Sequence, residues 1–165
     1  MSMRLLRSLP IAVALLAVLA GSAHAAKPEV CKKSSVRRSL DNVGKSADAG
    51  FNQILCADVT GDGNKDAIFT VLSGGSAGPT HFGVVLGAPD GSSEGIQLYR
   101  RGYKVSVDAV NDTRFDAQQP IYRKNDKNCC PSGYSFTPYR WTGSRFKAGK
   151  TRTYKKAKQR FFDQM

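Results

Sequence analysis

Histidine is nearly absent from this 165-residue chain, which has two, and acids are outnumbered, 13 against 25 lysines and arginines. Scarce histidine removes the usual general base and most zinc chemistry. Nor does any apolar run reach the length of a membrane-spanning helix. The longest, Ile11 to Ala20, follows Arg4 and Arg7 and precedes Ala23-His24-Ala25, the small-x-small pattern of a signal-peptidase site. Residues 1–25 therefore read as a signal peptide cleaved near Ala25. Ser22 stands where a lipoprotein carries its lipid-accepting cysteine, so no lipid or integral membrane anchor is expected. Arg4 and Arg7 are not adjacent, which points to export of the unfolded chain. The product is expected in the periplasm or outside the cell. It keeps one histidine, His81, and with Arg4 and Arg7 removed carries 23 cations against 13 acids, a charge of +10.

Residues 26–165 are enough for one domain with its own core. All four cysteines, Cys31, Cys56, Cys129 and Cys130, lie in this part, and an even count in an exported domain implies two disulfides. A Cys129–Cys130 link would close a vicinal ring, so the expected pairings join these two separately to Cys31 and Cys56. Paired C-x-x-C spacing is missing, which argues against zinc.

The chain divides into a polar, basic arm (26–50) with a short helix near Ser35 to Val43, a β-rich domain (51–147) and a basic tail (148–165). Residues 51–59 read as a strand, and Ala67 to Leu72 as a central strand buried on both faces. Further strand patterns cover 81–87, 95–100, 103–110, 114–123, 134–141 and 144–147. In 103–110, Tyr103, Val105, Val107 and Ala109 should be buried while Lys104, Ser106 and Asp108 face water. Pro138 should put 134–141 at an edge or on a bulge. The fold class expected is mainly β, with α+β as the alternative. It would be a predominantly antiparallel, meander-like sheet of about seven strands, stapled by disulfides, with short N- and C-terminal helical segments.

Between the first two strands lies DVTGDGNKD. Asp58, Thr60, Asp62, Asn64 and Asp66 fall at alternate positions, as oxygen donors do around a hard divalent cation, calcium above all. Position 12 of an EF-hand would be Phe69, so that motif fails. The nine residues resemble the calcium loop of FG-GAP and VCBS repeat proteins. A metal-free turn between two strands is the competing reading. No internal repeat accompanies the loop, and the chain is too short for a propeller. On a larger scale, the loop, the SGGSAG stretch, CCPSGY and YRWTGSRF resemble small exported bacterial proteins akin to the LppP/LprE family. That resemblance implies a similar fold and disulfides, and no reaction.

Gly74 to Gly78 matches G-x-S-x-G, but Pro79 and another strand follow where a nucleophile elbow needs a helix, so Ser76 reads as hairpin loop. The tail carries Lys147, Lys150, Arg152, Lys155, Lys156, Lys158 and Arg160, interleaved with aromatics. Tyr154, Ala157 and Phe161 recur at helical spacing. These cations are the expected contact for an anionic envelope or extracellular polymer, with nucleic acid disfavoured by the address. The functional expectation is a non-catalytic, monomeric binding or structural domain. The alternative is a small secreted metal-dependent hydrolase or nuclease, which requires His81 and the loop carboxylates to share a pocket. A third reading, a protein-docking patch, rests on Tyr134, Tyr139 and Trp141.

Overall fold

The computed structural model describes residues 27–158. The arm forms one turn of 3-10 helix, Glu29–Cys31, and then helix α1, Lys33–Asp41. Nine strands follow: β1 Phe51–Ala57, β2 Asp66–Leu72, β3 Pro79–Gly87, β4 Ser93–Arg101, β5 Ser106–Asn111, β6 Arg114–Ile121, β7 Gly133–Trp141, β8 Phe146–Ala148 and β9 Arg152–Tyr154. The expected meander is present but is split into two antiparallel sheets. Sheet A runs β1-β2-β3-β4, and sheet B runs β5-β6-β7-β8 with β9 also paired to β7.

The alternation of apolar residues accounts for three layers. In β2, Ala67, Phe69 and Val71 face the arm, where Val36 and Leu40 present the apolar stripe of α1. Ile68 faces the other way and joins Phe82, Val84, Val107, Phe115 and Phe146 between the sheets. Burial on both sides is why β2 reads as a continuous apolar run. Gly83 is required here, because a Cβ would lie 2.2 Å from the Leu98 carbonyl oxygen and 2.7 Å from the Phe69 ring.

The chain passes between sheets at Gly102–Val105, so the expected strand over 103–110 is shortened at its start. Gly102 N–H donates to Thr80 O and Val105 N–H to Pro79 O, which satisfies the corner backbone without strand pairing. Lys104 takes the left-handed conformation, φ 46°, the one non-glycine residue to do so among those described. Gln53 of β1 joins the sheets a second time. Its side-chain amide donates to Val107 O (3.3 Å) and accepts from Val107 N–H (3.0 Å), imitating a neighbouring strand at the free edge of β5.

Four further expectations are corrected. Ser106 and Asp108 are buried together with Asp116 and Gln118, so the outer face of sheet B is not simply wet. Pro138 lies in an interior strand with unbroken β6 register. Its carbonyl accepts from Gly149 N–H in the interval between β8 and β9, so the missing proline N–H faces a gap in the neighbouring edge. Tyr154 is in a strand and Ala157 is not helical, because residues 134–136 of β7 pair with 152–154 and Tyr154 packs edge-on against Phe136 at 5.0 Å. Tertiary pairing has overridden the helical spacing there. Phe161 and Arg160, like residues 1–25 where a signal peptide is expected, lie outside the described residues.

The cysteine pairing is the fourth. Cys31 bonds Cys56, and Cys129 bonds Cys130. Neither expected pairing is present: the arm is stapled to β1, the vicinal pair closes on itself within an exposed loop, and the far end of the chain is tied to neither. Neighbouring cysteines meet without any other segment having to approach, and here no other segment brings a thiol.

Candidate functional site

Two features stand out, an acidic loop joining β1 to β2 and a basic face on sheet B. The loop starts where β1 ends. Asp58 accepts N–H bonds from Thr60 (3.1 Å), Gly61 (2.7 Å) and Gly63 (2.9 Å), a tight Asx-type turn in which Gly61 and Gly63 have positive φ. Asp62 accepts from Asn64 N–H at 2.8 Å. Asp66, at the start of β2 and fully buried, accepts from Val59 N–H (3.0 Å) and, across the sheet, from Gly87 N–H (3.1 Å). The Thr60 hydroxyl lies 3.4 Å from the same carboxylate. Gly87 has to be glycine, since a Cβ there would meet the Lys65 carbonyl oxygen at 2.0 Å.

Burial pushes the Asp66 carboxyl up, Val59 and Gly87 N–H pull it down, and the charges of Asp62 and Asp58 push it up again, with a raised result. For Asp58, burial also raises the pKa, but the three N–H donors and Lys65 prevail and it is lowered. All three carboxylates therefore hold backbone donors. Among the described residues no three His, Cys, Asp or Glu side chains gather as a metal-ligand group. Asp58 Oδ1 and Asp66 Oδ2 already accept more than one hydrogen bond, whereas Asp58 Oδ2, Asp62 Oδ1 and Asp66 Oδ1 accept one each and keep a lone pair, and repulsion around Asp66 is the kind that a cation relieves.

His81 is remote from this loop. It pairs with Val71 in the register, five residues along β2 from Asp66, or about 17 Å at strand rise. Its ring stacks on Tyr99, with centroids 5.1 Å apart and planes 8° from parallel, and its pKa is lowered by burial, Arg101 and Lys45. Ser76 is exposed in the β2–β3 hairpin loop with no helix after it. Tyr139 stacks on Phe115 at 5.0 Å and Trp141 packs on Phe146 at 5.0 Å, both against the inter-sheet core, so these two do not form an outward patch.

The basic face is built by register. Arg114 of β6 lies opposite Arg140 of β7, which lies opposite Lys147 of β8. Three cations thus stand in one row across three strands, on the face turned away from sheet A. Like charges directly opposite destabilise a sheet unless something neutralises them. Asp116 holds Arg114 through two hydrogen bonds, at 2.8 and 2.9 Å. The described residues contain one other ion pair, Lys32 with Glu29, so Arg140 and Lys147 have no carboxylate partner among them. Beside this row Lys150, Arg152 and Lys158 line a hollow of about 240 Å³ floored by Phe136 and Pro138. The Lys158 ammonium sits 4.8 Å from the Phe136 ring centroid and 5.3 Å from that of Tyr154.

Of the cations expected to act together, Lys147, Lys150, Arg152 and Lys158 share this face. Lys155 and Lys156 are exposed beyond β9, and Lys155 lines a separate hollow with Arg123. Sequence reasoning missed Arg114 and Arg140, which lie far from the tail in the chain. Strand parity puts each opposite its apolar neighbours, but only the β6–β7 register brings the two together. No protein-family model, curated protein or solved structure matches the chain.

Proposed function

We propose that the chain is a non-catalytic, exported binding domain that uses the outer face of sheet B to hold an anionic envelope or extracellular polymer. The row Arg114–Arg140–Lys147, extended by Lys150, Arg152 and Lys158, carries this reading. A cross-strand row of cations is unfavourable in isolation and becomes favourable against phosphate, carboxylate or sulfate groups, whose counterions are released on contact. The resemblance to small exported LppP/LprE-like proteins is part of the same proposal. The hydrolase reading requires His81 and the loop carboxylates to share a pocket, and His81 pairs with Val71, toward the other end of β2 from Asp66.

Truncation after Phe146 is not a clean test, because it removes most of β8 and all of β9. Charge removal is cleaner. Arg140→Gln with Lys147→Gln should elute from a heparin column at clearly lower salt than the parent, with a melting temperature no lower than the parent's. The control Lys33→Gln with Lys45→Gln removes two exposed cations elsewhere and should elute close to the parent. Equal losses in both would mean diffuse charge and no site.

In this proposal the 58–66 loop takes calcium through Asp58, Asp62, Asp66 and Thr60, with Asn64 contributing its carbonyl. The cation would neutralise the repulsion at Asp66. Affinity of about 0.1 to 1 mM is expected, as in extracellular modules. At tenfold excess over such a constant the stabilisation is about 1.4 kcal/mol. Asp62→Ala should abolish the rise in melting temperature, and a protein indifferent to both calcium and chelator would reduce the loop to a turn.

A further inference from the structure

At the other end of the same face, a cavity of about 380 Å³ opens between the Gly102–Val105 corner and the 122–132 loop. That volume lies in the range of small-molecule sites. Its walls include Pro79, Pro120 and Pro131, with Val105 and Cys129 of the vicinal disulfide. Prolines and a disulfide ring have almost no side-chain freedom to lose, so the cavity is pre-shaped and ordering its walls costs little.

The charge in the lining is one-sided: Lys104 stands among neutral polar groups of Asn52, Ser106, Gln118, Tyr122, Asn128 and Tyr134. Lys104 reaches the cavity from a left-handed backbone, an uncommon conformation for a residue with a side chain and one that costs free energy. The ammonium is then fixed by three neutral oxygens: Tyr122 Oη at 3.1 Å, Asn128 O at 2.8 Å and Asn128 Oδ1 at 2.6 Å. The rings of Tyr103 and Tyr122 lie 5.7 and 5.3 Å from it. These groups engage all three of its N–H donors but leave its charge unneutralised, and neither ion pair of the described residues involves Lys104. The surrounding loop adds Arg123, Lys124 and Lys127 against one acid, Asp126. The Asp126 carboxylate is turned to the Ser132 hydroxyl and to the N–H groups of Arg123 and Ser132.

We propose that this cavity binds a small organic anion, a carboxylate carried on an apolar, ring-sized body. The proline and disulfide walls take the body, and the carboxylate displaces the Asn128 side-chain oxygen from the Lys104 ammonium, whose three N–H donors are otherwise all engaged. This goes beyond polymer binding and does not depend on it, since Arg140 and Lys147 do not line the cavity.

Three probes of one shape and different charge test it: phenylacetate, 2-phenylethanol and phenethylamine, titrated into the mature protein by calorimetry and by amide shifts. Phenylacetate should bind at least about tenfold more tightly than the alcohol, as charge-assisted contacts do, and the amine should not bind. Shifts should centre on residues 103–105 and 128–131. Lys104→Met should bring phenylacetate down to the level of the alcohol, Lys104→Arg should retain a preference for the acid, and Arg140→Gln with Lys147→Gln should leave phenylacetate binding intact. Equal affinity for all three probes, no saturation by phenylacetate, or shifts confined to other surfaces would overturn the proposal. The wild-type series decides by itself, so a Lys104 variant that failed to fold would not shelter the idea.

Discussion

His81 illustrates how a single residue reports on its surroundings. Burial, Arg101 and Lys45 hold its pKa below the ordinary 6.5, so between that value and the folded one the unfolded chain binds the proton more readily. Stability must then fall as pH drops through about 6.5, and the loss continues until the folded imidazole also titrates. His81→Phe keeps a ring against Tyr99 and cannot titrate. Urea midpoints from about pH 7.5 to about pH 5.5 should decline less in this variant than in the parent. Asp66, raised in both proteins, cancels in the comparison, and parallel curves would show that His81 contributes nothing. At this scale the sequence was a fair guide to Ser76, which is loop as its following proline suggested. It was a poor guide to Ser106 and Asp108, because two-fold alternation says which residues share a face but not whether that face is covered.

Among the elements, one side chain caps the free edge of β5 and ties it to sheet A. Gln53→Ala would leave Val107 N–H and C=O buried without partners, and each such group costs about 1 to 3 kcal/mol. A loss of about 2 to 4 kcal/mol in denaturant unfolding is expected, whereas a change within about 0.5 kcal/mol would mean that β5 needs no such cap. Nothing in FNQILCA announced this role, since a glutamine in a strand ordinarily points to water. Strand positions themselves were readable from runs such as AIFTVL and from the turns between them. The short β9 was hidden because its charge and helical spacing both argued for a tail, and the division into two sheets was hidden because the corner at Lys104 looks like the start of a strand.

For the molecule as a whole, the two disulfides are unequal. Cys31–Cys56 spans 25 residues and fastens the arm beside the loop, with Cys31 Sγ 3.7 Å from the Asp66 carbonyl oxygen. Closing such a loop contributes about 3 kcal/mol in the chain-entropy description. Cys129–Cys130 restrains almost none of the unfolded chain. Replacing both members of the first pair by alanine should therefore lower the melting temperature far more than replacing both members of the second. Comparable losses would show that the vicinal ring organises more than its own loop. This pairing was not legible because it depends on which thiols the fold brings together, and the arm–β1 staple leaves the last two only each other. The break opposite Pro138 has a consequence for life in a crowded medium. An unbroken outer strand there would offer a foreign chain a continuous ladder of donors and acceptors, the usual seed of aggregation. Instead that margin consists of two three-residue pieces, β8 and β9, separated by residues 149–151 and carrying Lys147, Lys150 and Arg152. With Gln53 occupying the opposite margin at Val107, sheet B offers an incoming strand no long, neutral edge on which to grow.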